Sequence, residues 1–252
     1  EFEAAQVTVL EGVRYPSDAS DFSGILSEAT EKLQTAQSMY PNREIAILLI
    51  SFDEGAEILA SANGDPDLAV VRWFGSDAIA NTQELLDNPN AVDFALSTRF
   101  TAAAFAPELD LSAWKTAKGR LVKSYLENFL TDYLQKYGEE PGPFAYSSYD
   151  SAWLSAMTSF KVPQNASLNQ LVQLMLMTMK YTNGYCELNR VNENGDKGYG
   201  TFGFASVVME NAEVDWKYKS AYHFAYEYDR DDWLEYYEDD DPNSPIGGWE
   251  LF

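Results

Sequence analysis

A chain of 252 residues with 46% hydrophobic content is long enough for one large or two modest domains and rich enough for a packed core. Its formal net charge of −23, from 40 acidic against 17 basic residues, excludes nucleic acid as a partner, because a phosphate backbone demands a basic footprint. It also disfavours anionic membrane surfaces, and reads as a solubilising surface, as of a salt-adapted organism, with an acidic binding face for a particular partner as the alternative. One cysteine, Cys186, excludes an internal disulfide framework and any cysteine-based metal cluster. No apolar run approaches the ~20 residues of a membrane-spanning helix. The opening EFEAAQ lacks the basic and apolar parts of a signal peptide, and reads as the end of a helix whose start is absent.

In chain order, Val7 to Tyr15 predicts a strand ending at Pro16. Ser20 or Asp21 then caps a helix whose apolar positions are Phe22, Ile25, Leu26, Ala29, Leu33 and Ala36. The run Ile45 to Ile50 has no polar alternation and predicts a strand buried on both faces. Asp53, Glu54 and Gly55 open a helix over Ala56 to Ala62, which the Asn63-Gly64-Asp65-Pro66 turn ends before a second apolar strand, Leu68 to Phe74. A helix from about Ile79 to Leu86 and a fourth strand around Val92 to Ser97 complete an uninterrupted alternation of strand and helix. The expected fold class is α/β, with a doubly wound parallel sheet.

After Phe100 the pattern becomes helical. Leu121, Val122, Tyr125, Leu126, Phe129, Leu130, Tyr133, Leu134 and Tyr137 form one apolar stripe. Tyr149, Ala152, Trp153, Ala156, Met157 and Phe160 form a second, capped by Ser147 or Ser148, and a third begins at Ser167 with Leu168, Leu171, Val172, Met175 and Met179. Three such helices need a partner surface. The segment from Asn189 to Gly200 is turn-rich, Phe202 to Met209 and Tyr218 to Tyr226 read as strands, and Glu227 to Phe252 is an acidic, aromatic tail.

In open parallel sheets ligands sit outside the carboxyl ends of the strands, which gathers Ser51, Phe52, Ser76 and Asp77 at one crevice. A carboxylate at Asp77 suits an ammonium group, since charge-assisted hydrogen bonds are the strong ones; its plainer alternative is a helix cap, a role Ser76 could also fill. Phe52 offers apolar contact or simply core, and Tyr15 ends the first strand within reach of the same edge. Arg99 pairs with Asp93 or meets an anion. Catalysis has little support. The single histidine, His223, is far in sequence from any nucleophile, and there is no GxSxG, HExxH or glycine-rich phosphate loop. Cys186 reads as a buried small hydrophobe and Asn192 to Asp196 as a hairpin turn rather than a calcium loop. Asp239 to Asp241 could hold a loosely bound cation. Asn165-Ala166-Ser167 is a glycosylation sequon that a helix cap at Ser167 explains equally well. No cofactor or metal is expected.

Four segments carry a resemblance: FEAAQVTVLEGVRYPSDASDFSGIL (Phe2 to Leu26), SFDEGAEIL (Ser51 to Leu59), WFGSD (Trp73 to Asp77) and YSSYDSAWLSAM (Tyr146 to Met157). In this colinear order they resemble the type I periplasmic solute-binding proteins, nearest the branched-chain amino acid receptors of ABC importers. The resemblance implies a two-lobed, extracytoplasmic, non-enzymatic receptor that binds an amino acid or similar small polar solute and delivers it to an ABC permease. It implies a C-terminal lobe over residues 1–100 with its start missing, a helical part of the N-terminal lobe over 101–188 entered by a hinge strand near Leu96 to Phe105, and a return with an acidic tail over 189–252. It assigns Asp77 to the ligand's ammonium and Phe52 to its side chain, with Ser51, Ser76 and Tyr15 alongside. The helical region would be covered by a missing N-terminal segment or another chain. A sensory or structural surface module reusing the same fold is the alternative.

Overall fold

The structure is a computed structural model that describes residues 7–16, 18–106, 117–181, 199–225 and 247–251. Cys186, Asn192 to Asp196, Asp239 to Asp241 and the opening EFEAAQ lie outside the described residues.

The first helix, α1, spans Ser23–Met39 and buries Leu26, Leu33 and Ala36 at helical spacing, with Phe22 buried just before it. Asp21 accepts the Ser23 N–H at 2.9 Å, satisfying a donor of the first turn and drawing its own pKa down. Val7 to Tyr15 does not form the expected strand. Among the described residues it belongs to no ladder, so periodicity alone did not give it a partner.

The βαβ unit is present. β1 (Ala46–Leu49) runs parallel to β2 (Arg72–Gly75), with Ala46 opposite Arg72 and Leu49 opposite Gly75, and α2 (Gly55–Ala62) lies between them in the chain. β2 is shorter than its apolar run because Asp65 diverts the chain. Its Oδ1 accepts the N–H groups of Asp67 and Leu68 at 2.9 and 3.1 Å, folding the segment into a turn. Leu68 is buried there as a turn residue, and its carbonyl accepts the Trp73 indole N–H at 3.0 Å. Nor is β1 buried on both faces. It is the edge strand, and Leu48 and Ile50 stand 54% and 71% exposed.

A 3-10 turn, Asp77–Ile79, and a short α3, Gln83–Leu86, replace the single helix expected from Ile79 to Leu86, the chain turning between them through Asn81 at φ 59°. Where a fourth strand was expected over Val92 to Ser97, the chain forms α4, Pro89–Thr98. Asn88 Oδ1 caps it by accepting the N–H groups of Asn90 and Ala91, Pro89 occupies its first turn, and Ala91, Val92, Phe94, Ala95 and Thr98 are buried at helical spacing. Arg99, left-handed at φ 55°, ends the helix. The strand follows as β3, Thr101–Phe105, parallel to β2 with Phe74 opposite Thr101.

Helix α5 spans Ala117–Tyr137, α6 Pro143–Ser159 and α7 Leu168–Tyr181. α6 starts at Pro143 rather than at a Ser147 or Ser148 cap, since Gly142-Pro143 supplies a ready first turn. α7 is capped as expected: Ser167 Oγ accepts the Gln170 N–H at 3.3 Å, and Gln170 Oε1 accepts the Ser167 N–H at 2.9 Å. The strands β4 (Tyr199–Glu210) and β5 (Glu213–Ala225) are joined by Asn211 and Ala212, both at positive φ, the backbone signature of a tight hairpin turn. β6, Gly247–Leu251, pairs antiparallel with β5.

The six strands lie in sequential order, parallel from β1 to β3 and antiparallel between β5 and β6. The fold is therefore α/β with a mixed sheet. Right-handed crossovers between consecutive parallel strands put successive helices on one face, and α2 does pack against α4. This order has no reversal, so the strand-end crevice is not marked by a topological switch point.

Two compact units form, one of Glu1–Ala103 with Ala205–Lys217, the other of Ala104–Phe204 with Tyr218–Phe252, so that β3, β4 and β5 each pass from one to the other. The first unit's core gathers Leu59, Leu68, Trp73, Ile79, Leu85, Phe94 and Phe100, with Trp73 edge-on to Phe94 at 5.3 Å. Trp216 meets Phe100 at 6.3 Å and donates its indole N–H to the Thr82 carbonyl. In the second, Leu126 and Phe129 of α5 are buried, and Phe129 packs on Tyr133, Tyr146 and Tyr149. The apolar stripe of α6 is only partly covered. Tyr146, Asp150, Leu154 and Thr158 are buried, while Tyr149, Trp153 and Phe160 are exposed, and Leu168, Leu171 and Val172 of α7 are exposed with them.

Candidate site at the strand ends

The carboxyl ends of β1 and β2 are joined beyond their ladder by side chains. Ser76 N–H donates to the Leu49 carbonyl at 2.9 Å, Ser76 Oγ donates to the Ser51 carbonyl at 3.1 Å, and Ser51 N–H donates to Ser76 Oγ at 3.4 Å. Ser76 thus serves the strand ends and makes no side-chain cap to the following turn. Ser51 is only 4% exposed, and its hydroxyl oxygen has no hydrogen-bond partner among the described residues. It is enclosed by the start of α2, where a side chain on Gly55 would strike both Ser51 Oγ and Ile79 Cδ1. Gly75 is equally constrained: a Cβ there would lie 2.5 Å from Phe100 Cζ and 2.7 Å from Ile79 Cγ2.

Asp77 is exposed at the first residue of the 3-10 turn. Its carboxylate makes no hydrogen bond or ion pair among the described residues, so it is not the helix cap that the plainer reading supposed. Phe52 stands 70% exposed on the bend leaving β1. Tyr15 is half-buried, edge-on to Phe22 at 5.8 Å, and its hydroxyl lies 2.9 Å from Glu54 Oε1 and 3.2 Å from the Ile50 carbonyl. Burial first, then the hydrogen bond and negative charge of Glu54, push the Tyr15 phenol up to about 12.

Glu54, expected only as a negative charge beside the site at the opening of α2, holds Tyr15 there. Its Oε1 also accepts the Phe52 N–H at 3.2 Å. Burial opposes its charge, but the N–H groups of Glu54 and Phe52 and the Tyr15 hydroxyl outweigh it and hold the carboxyl below its usual range. No local signal exposes this pairing, because Tyr15 and Glu54 are 39 positions apart. Tyr15, Phe52, Glu54, Ser51 and Ser76 therefore meet at one strand edge, with Asp77 adjoining Ser76. Arg99 does not join them and forms no ion pair with Asp93 among the described residues, because it is spent as the left-handed end of α4.

A depression of about 540 Å³ lies elsewhere in the sequence, lined by Glu31, Gln34, Thr35, Ser38 and Met39 of α1 and by none of the strand-end residues. Among the described residues its lining comes from one helix, with no side chain converging from a second element, so the strand ends remain the candidate. Among the described residues no three His, Cys, Asp or Glu side chains converge as metal ligands, and no helix is long and apolar enough to cross a membrane.

No protein-family profile matches the chain. It is similar to uncharacterized protein MJ1266 of Methanocaldococcus jannaschii, 20% identical over a 216-residue alignment that takes in 79% of this chain and 46% of that protein. The chain thus spans about half the length of this relative, whose printed name assigns no activity to either.

Proposed function

We propose that the chain is the extracytoplasmic solute-binding component of an ABC importer, of the type I periplasmic kind, and that it captures an amino acid or similar small polar solute. One observation carries the reading: a carboxylate without a partner among the described residues, Asp77, and an exposed aromatic, Phe52, stand at the ends of neighbouring parallel strands. They complement two of the three groups an amino acid presents, its ammonium and its side chain, but not its carboxylate. On this reading residues 1–100 and 189–252 belong to a C-terminal lobe and 101–188 to an N-terminal lobe; the compact units divide the chain differently, grouping Tyr218–Phe252 with Ala104–Phe204, and only the presence of two units supports a two-lobed receptor. Closure of the lobes about the solute supplies capture, and a permease takes delivery. No catalytic step is involved.

The exposed apolar residues of α6 and α7 support a covering partner. Phe160 and Leu168 stand 90% and 76% exposed, and Val172 and Met177 are exposed as well, apolar surface of the kind that marks an interaction site. A further segment of the same receptor or another chain covers it. Calorimetric titration with a panel of amino acids tests the solute reading. Binding of at least one at micromolar affinity is the expected result, and no binding to any would shift the assignment to a sensory or structural surface module.

A further inference from the structure

Phe52 is an aromatic with no ring stacked on it among the described residues, so something other than packing must fix its direction. Its backbone is held on both sides. The Phe52 carbonyl accepts the Gly55 N–H at 2.9 Å, closing the turn into α2, and the Phe52 N–H donates to Glu54 Oε1 at 3.2 Å. That same oxygen takes the Tyr15 hydroxyl at 2.9 Å, and Tyr15 also reaches the Ile50 carbonyl, the last group before the site. One carboxylate oxygen thereby ties the exit of β1, the entry of α2 and the segment that precedes α1.

We infer that Glu54 is a positioning residue for ligand capture: it sets the Phe52 backbone, and with it the exposed ring, while anchoring Tyr15 at the same edge. The inference rests on the solute-binding reading. Glu54 acts through Phe52 and Tyr15, since both of their donors land on its Oε1, whereas Asp77 has no donor among the described residues. Labour is divided between the two acids, one to hold the aromatic and one to meet the charge. Holding the ring beforehand spares the ligand the ordering of a rotamer-rich surface group.

Two variants of the full chain, Glu54→Ala and Glu54→Gln, test this. The first readout needs no ligand: hydrogen exchange of the Phe52 amide. Glu54→Ala should speed it roughly tenfold, the loss of a hydrogen bond to a charged acceptor, while Glu54→Gln, whose amide oxygen still accepts, should stay near wild type. Tyr15→Phe removes the other donor and should leave Phe52 exchange unchanged. The second readout is titration with the amino acid panel, where Glu54→Ala should weaken affinity roughly tenfold and Glu54→Gln should restore most of it. Unchanged Phe52 exchange in Glu54→Ala overturns the inference even if that variant melts earlier, because a purely structural role at the start of α2 predicts that pattern. Faster exchange with wild-type affinity overturns it too. Wild-type protein that binds no amino acid sinks the solute-binding reading and the capture role with it, while the exchange result still shows whether Glu54 holds Phe52.

Discussion

Replacing Asp77 by asparagine keeps the side chain's shape and removes its charge. The carboxylate is exposed and makes no hydrogen bond or ion pair among the described residues, so the fold has no interaction there to lose. Stability should stay within about 0.5 kcal/mol of wild type, as for an ordinary surface substitution. A bound ammonium, by contrast, would lose a hydrogen bond to a charged group, on the order of 1.5–3 kcal/mol. At about 1.4 kcal/mol per decade, that is a Kd raised roughly 10- to 150-fold. Exposure to water places the expected value toward the lower end. Calorimetric titration of both proteins with the best amino acid of the panel, beside urea melts of each, separates binding from stability. A Kd within twofold of wild type at equal stability would refute the role of Asp77, and a large loss of stability would refute the claim that the carboxylate is free.

Four further outcomes follow from the packing and the charge. Gly75→Ala should cost about 1–3 kcal/mol in urea unfolding, because the new methyl meets the Phe100 ring and Ile79 inside a filled core. The raised Tyr15 pKa makes its contribution fully present below the ordinary tyrosine value near 10 and progressively lost as pH rises from there to about 12; alkaline melts should show this, and Tyr15→Phe should remove that part of the decline. The depressed pKa of Glu54 acts in the opposite window, its contribution present above the ordinary glutamate range and lost as pH falls through the folded value. With a net charge of −23, self-repulsion should be relieved by salt, so the melting temperature should rise from low to moderate NaCl.

The central βαβ unit was legible because β1 and β2 are apolar, short and bracketed by turn residues. The next strand lies inside the hinge strand expected near Leu96 to Phe105, but residue pattern alone did not show it, because Thr101 to Phe105 is mostly alanine, which carries little strand propensity, while the apolar residues of Val92 to Ser97 are consistent with either period. Asn88-Pro89 was the deciding signal for a helix there. The edge position of β1 is a property of the whole sheet, and Ile45 to Ile50 does not record it. The apolar stripes of α6 and α7 were real in spacing, but spacing does not say which neighbour covers them. Asp77, Phe52, Ser51 and Ser76 could be placed together from sequence because each follows the end of a strand. Glu54 was hidden because its importance comes from Tyr15, a residue brought to it only by the fold.

The interleaving of the two compact units sets a schedule for synthesis. The first unit needs Ala205–Lys217, yet about a hundred residues of the second are made before that stretch emerges. At ~5–20 residues per second, residues up to Ala103 wait roughly 5–20 s for their closing strands. During that interval Phe100 lacks the Trp216 ring, and the Thr82 carbonyl lacks the indole donor. An early fragment ending near Ala103 is therefore a holding state with an open apolar seam, exposed to chaperones and proteases until the hairpin at Asn211-Ala212 arrives to seal it.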